Sequence, residues 1–243
     1  MNRRFKRLDA HSALYLLRNS PWLPKLQYLM RAAPFLQHPA LLKQLDEVIR
    51  AAMEELITVR FSDMNWEQAV LPTGLGGLGL RRAEEVALPS FIASLHRCQK
   101  LLHTILPPSF ADTILNELKQ AEEEWLEKAG GKLAPTEETR GRQKSWDAPI
   151  AEHQRDRLLL EANQFDRARI LGAATPESGA WLRALPSSNL GTHLDNETVR
   201  IAVALRVGAN VCSGVPACRC GSLADVKGQP VSLVLEDYRT TQD

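Results

Sequence analysis

Between residues 41 and 56, Leu41, Leu42, Leu45, Val48, Ile49, Ala52, Met53 and Leu56 recur at spacings of three and four. That period predicts an amphipathic helix of about five turns. Helical spacing returns at 5–18, with Leu14, Leu16 and Leu17 facing inward, and at 22–30 through Trp22, Leu23, Leu26, Leu29 and Met30. It returns again at 81–106, at 114–126, at 149–171 and at 199–205 through Val199, Ala202, Val203 and Leu205. Only 231–235 is β-prone. The expected fold class is mainly α: an irregular multi-helix bundle with a Gly-rich turn, a polar linker and a short Cys-containing, β-prone tail.

Prolines, glycines and capping residues set the expected boundaries. Ser20-Pro21, Ser62, Ser109, Thr175-Pro176 and Asp195 are start signals, and Gly130-Gly131, Gly172 and Gly208 are stops. Pro89 should break the helix it interrupts, because it lacks the amide hydrogen. The polar stretch 132–145 reads as a linker. The expected organisation is a helical unit over 1–130, a linker over 131–146, a second helical region over 147–210 and a tail over 211–243.

Charge is where composition matters. The chain has 30 basic and 29 acidic side chains in 243 residues, which removes the overall basic excess of a dedicated nucleic-acid binder. By position the balance is uneven. Residues 1–35 hold Arg3, Arg4, Lys6, Arg7, Arg18, Lys25 and Arg31 against Asp9 alone. Residues 112–139 are acidic, and basic residues return at 140–169. The basic start lacks the apolar region of a secretory signal. A mitochondrial presequence shares its arginine-rich, acid-poor character, and the first helix of the fold is the plainer reading. Four cysteines are too sparse for a disulfide scaffold and point to a reducing compartment, cytoplasm or nucleus. The longest apolar runs are five residues, against about 20 for a membrane span, so no membrane partner is expected.

Local motifs are few. Gly74 to Gly79 spell G-x-G-x-x-G, but a dinucleotide fingerprint needs a preceding strand and an acid about 20 residues on, and neither is present. A tight apolar turn is the better reading. Cys212, Cys218 and Cys220 supply three thiols where a structural zinc site needs four ligands, so the set is incomplete and no cofactor is expected. Cys98 reads as packing. His96 and His103 share a helix face without a third ligand. Arg155, Arg157, Arg167 and Arg169 alternate with Asp156, Glu161 and Asp166, the pattern of a solvated helix with local ion pairs. No hydrolase elbow, zincin motif or adjacent Asp pair is present, and no enzymatic activity is expected.

A series of phrases stands in order along the chain. They are HSALYLLR at 11–18, PKLQYLMRAAP at 24–34, WEQAVLP at 66–72, GGLGLR at 76–81 and ALPSF at 87–91. WLRALP at 181–186, LGT at 190–192, RIAVALR at 200–206, CRCG at 218–221 and Asp225 follow. The series resembles the region after the polymerase core in reverse-transcriptase polyproteins of non-LTR (LINE-like) retrotransposons, over about residues 5–228.

The resemblance implies a thumb-like helical region that grips a nucleic-acid duplex, followed by a zinc knuckle. The family's catalytic carboxylates lie upstream of the matched phrases, so polymerase activity is not implied. The knuckle's later His and Cys are missing here, and residues 231–243 depart from the pattern, as an unrelated tail would. The expectation is a retrotransposon-derived, non-catalytic fragment that binds RNA or DNA weakly and without sequence preference. Its contacts would be Arg3, Arg4, Lys6, Arg7, Arg18, Lys25 and Arg31. The other expectation is a remnant without nucleic-acid affinity, inert or self-associating through apolar faces at 14–17 or 22–30.

Overall fold

The computed structural model of the chain describes residues 7–19, 22–212, 214 and 224–227. Among them are ten α-helices and no strand: α1 (Ala10–Asn19), α2 (Trp22–Ala32), α3 (Pro39–Ile57), α4 (Asp63–Val70), α5 (Ala83–Ile105), α6 (Pro108–Lys128), α7 (Gln143–Glu161), α8 (Gln164–Ala173), α9 (Ala180–Arg183) and α10 (Asn196–Val207). The fold is mainly α, as expected. The start signal at Ser20-Pro21 and the β-prone 231–235 lie outside the described residues.

Helix α5 is the centre of the bundle, with α2, α3, α6 and α7 packed around it. It runs unbroken through Pro89, against expectation. An interior proline costs roughly 3 kcal/mol of helix propensity, but burial of Leu88, Phe91 and Ile92 on either side of it outweighs that cost. Its first turn is capped from another helix. The buried Asp46 of α3 accepts from Ala83 N at 2.6 Å and from Glu84 N at 3.1 Å. Burial pushes the Asp46 carboxyl up to about 6, against those two amide donors.

Several apolar residues expected inside face out. Leu16, Leu29, Leu41, Val48, Leu126 and Leu205 are all more than two-fifths exposed. Each helix carries a wider apolar stripe than its neighbours cover, so only part of each expected stripe is buried, at Leu14, Leu42, Ile49, Met53, Trp125 and Val203. Four starts also differ: α1 begins at Ala10, later than expected, and α9 begins at Ala180 after Gly179 and not at Thr175-Pro176. Pro107 and not Ser109 is the cap of α6, with Pro108 in the first turn, where a missing amide is tolerated. The expected helix at 149–171 is two. It begins earlier, at Gln143, and is parted at Asn163, whose side chain accepts from Asp166 N at 2.8 Å to start α8.

The polar stretch after Gly130-Gly131 is tied into the core at its end. Trp146 is fully buried, its ring 4.9 Å from that of Trp125 and edge-on at 82°. Trp125 Nε1 donates to the Trp146 carbonyl at 2.7 Å, and Trp146 Nε1 to the Arg140 carbonyl at 2.7 Å. His96 stacks on Trp146 at 5.4 Å and meets Glu122 at 2.7 Å, a carboxylate supplied by the neighbouring helix. A second core gathers α1, α3, α4 and α10, so helices from both ends of the chain share it.

Candidate nucleic-acid interface

Of the residues expected to contact phosphate, Arg3, Arg4, Lys6 and the side chain of Lys25 lie outside the described residues, as do Cys218 and Cys220. Arg7 is exposed. Arg31 is exposed at the end of α2, where its Nη2 donates to Gln143 Oε1 at 3.1 Å. Arg18 turns inward. Its Nη1 donates to the Leu182 carbonyl, and Nη2 to Thr73 Oγ1 at 3.2 Å. Burial, then the neighbouring Arg206 and Arg183, push the Arg18 guanidinium below its ordinary range. Cys212 has a half-buried free thiol, and among the described residues no group of His, Cys, Asp and Glu could hold a metal ion.

Arg18 belongs to a polar knot around the glycine-rich turn. After Ser62 and Asn65 form a reciprocal capping box, α4 presents Gln68 to the turn. Gln68 Nε2 donates to the Gly76 carbonyl at 3.0 Å and to the Arg206 carbonyl at 2.8 Å. Arg206, 8% exposed, donates in turn to the carbonyls of Gly77 at 3.0 Å, Thr73 at 3.0 Å, Ala173 at 2.9 Å and Ser178 at 3.1 Å. Arg169 reaches the Arg206 carbonyl at 2.8 Å and Asp166 at 2.8 Å. It is therefore built into the knot and does not lie on a solvated face. A Cβ at Gly77 would overlap the Leu71 carbonyl. The turn is filled by the chain's own side chains, and no strand precedes it, which removes the dinucleotide reading. The phrases at 11–18, 66–72, 76–81, 181–186 and 200–206 thus meet at one place, through Arg18, Gln68, Gly77, Leu182 and Arg206.

On the other side of the turn lies a cleft of about 600 Å³, walled by α7 and by residues 70–75. Val70, Pro72, Leu75 and Ala148 make its walls apolar, and Glu85, Gln143 and Gln154 bring polar groups into it. Arg82 holds Glu67 at 2.9 Å and also grips Glu85 Oε1, to which Gln154 Nε2 donates at 2.8 Å. Burial pushes the Glu85 carboxyl up, against Arg82 and Gln154, which favour its charge. At the rim Arg81 pairs with Asp147, and Gln27 Nε2 donates to Gln143 Oε1.

Arg142 and Lys144 flank Gln143 and are exposed, and with Arg31 they have no carboxylate within ion-pairing distance among the described residues. Among the described residues, no serine, threonine, cysteine or histidine lines the cleft. The arrangement offers cationic and hydrogen-bonding recognition on an apolar floor. Arg142 and Lys144 belong to the basic return at 140–169 and were not among the expected contacts; their charge was the only signal they carried. Gln27, Glu85 and Gln154 carried no local signal, because their roles come from helices folded together. Comparison with protein-family models, with curated proteins and with solved structures finds no match to this chain.

Proposed function

We propose that the chain is a non-catalytic helical region derived from a non-LTR retrotransposon reverse transcriptase, and that it binds RNA or DNA weakly through its phosphates. The observation that carries this reading is the group Arg31, Arg142 and Lys144. It joins the basic start of the chain to the basic return after residue 140, through the Arg31–Gln143 contact at 3.1 Å. Cations free of carboxylates can displace the counterions of a nucleic acid, an attraction that does not depend on sequence and weakens with salt. The origin is supported by the order of the phrases and by their meeting around one turn.

Fluorescence anisotropy with a labelled duplex tests the binding. Affinity that is measurable at low salt and falls as salt rises is the expected result; no detectable binding at low salt overturns it.

A second reading, association with a second copy of the chain through an apolar face, is favoured by one observation. Leu101, Ile105 and Phe110 are more than half exposed where α5 hands over to α6. Sedimentation of the purified chain separates the two: a monomer over a wide concentration range removes self-association.

A further inference from the structure

The cleft beside α7 has hydrogen-bonding capacity that the fold leaves unused. Glu85 Oε1 takes the donors from Arg82 and Gln154, whereas Glu85 Oε2 receives none among the described residues, although the side chain is 19% exposed and lines the cleft. The other carboxylates there are neutralised: Asp147 by Arg81, and Glu152 by Lys132 at 2.5 Å. At one end, Lys144 lines the opening, Arg142 precedes Gln143, and Arg31 reaches Gln143 from α2. An acceptor at the bottom, apolar walls and unpaired cations at the mouth make a polarised site. It fits a molecule with an N–H edge, a flat apolar body and a phosphate.

Resting on the nucleic-acid reading above, we propose that the cleft receives one unpaired nucleotide of a single strand. Its base enters between Leu75 and Ala148 and donates an exocyclic amino N–H to Glu85 Oε2, while its phosphates lie against Arg31, Arg142 and Lys144. A base presenting a carbonyl at that position would set oxygen against carboxylate, so cytosine is accepted over uracil. The two differ there and at the adjacent N3, an acceptor in cytosine and a donor in uracil, and otherwise have nearly the same shape.

The test uses the full chain with labelled twelve-nucleotide strands of cytidine and of uridine and a labelled duplex, by anisotropy at low salt. The cytidine strand is expected to bind about tenfold tighter than the uridine strand, the worth of one hydrogen bond. Ala148→Trp, which fills the cleft and keeps every charged residue, should erase that difference in a protein that still binds the duplex. Free cytidine 5′-monophosphate should displace the cytidine strand from the unaltered chain at lower concentration than uridine 5′-monophosphate does, a readout that needs no variant. Equal affinity for the two strands, or a preference that survives Ala148→Trp in a folded protein, overturns the cleft assignment alone. Failure of every probe, the duplex included, overturns the nucleic-acid reading with it.

Discussion

Arg206 Nε donates to the carbonyl oxygen of Gly77 at 3.0 Å, joining the last helix to the glycine-rich turn across 129 residues of chain. The same guanidinium satisfies three further carbonyls, from Thr73, Ala173 and Ser178, and has no carboxylate partner among the described residues. Removing it strands several buried acceptors at once. Arg206→Ala is expected to cost about 3–5 kcal/mol; Arg206→Lys should cost less, because an ammonium still serves some of these carbonyls, but not nothing, because it cannot span the same fork. Urea unfolding of both variants checks the order.

The glycines of the turn are not equivalent. A Cβ at Gly74 meets nothing within 4 Å, whereas at Gly77 it would overlap the Leu71 carbonyl. Gly74→Ala should change stability by less than about 0.5 kcal/mol, and Gly77→Ala should destabilise by more than about 2 kcal/mol. Thermal melts followed by circular dichroism separate them. Equal effects would mean that backbone entropy, and not close approach, explains the glycines.

Trp146 ties the 132–142 stretch to α5 and α6. Trp146→Ala should cost about 3–5 kcal/mol by emptying the site beside Trp125 and His96. Trp146→Phe keeps most of the ring but leaves the Arg140 carbonyl without its donor, at about 1–2 kcal/mol. Denaturant midpoints read both.

Asp46 makes a pH prediction. Its folded-state value, near 6, lies above the ordinary 3.8, so between those values the folded chain holds a proton that the unfolded chain has released. Its contribution to stability therefore falls as pH rises from about 4 to about 6. Glu54, Glu67 and Asp166 are shifted down and act in the opposite direction at lower pH. In Asp46→Asn the downward component disappears, so the variant should gain on the wild type as pH rises through this window. Unfolding free energies at pH 4, 5, 6 and 7 decide it; a constant difference would refute the shift.

Salt dependence tests the interface. Arg31→Glu and Lys144→Glu should each lower duplex affinity and reduce the slope of log Kd against log salt by about 1. Lys128→Glu is the control, since Lys128 already pairs with Glu124 at 2.8 Å. Equal losses in all three would make the effect one of net charge alone.

Local chemistry was legible in the chain itself. Ser62 and Asp195 start helices and Gly208 ends one where expected, because a cap is a bond between residues three or four apart and needs no distant partner. The helical class followed from spacing for the same reason. Arg142 and Lys144 stood out only as charges, without the neighbours that make a site.

What tertiary structure decided was the direction of each side chain. Leu41 and Leu42 are adjacent in sequence and alike in chemistry, yet one is 54% exposed and the other 4%. Arg18 and Arg31 both belong to the basic start, yet one points to Leu182 and Thr73 and the other to solvent beside Gln143. Hydrophobic spacing is periodic and cannot say which part of a wide stripe a neighbour will cover, and a count of charges cannot say which arginine will find carbonyls inside. The chain alone determined that it would be helical and where most of its helices would stop. Packing of α1, α4 and α10 around one turn, and of α7 on α5, decided which residues became the knot and which the cleft.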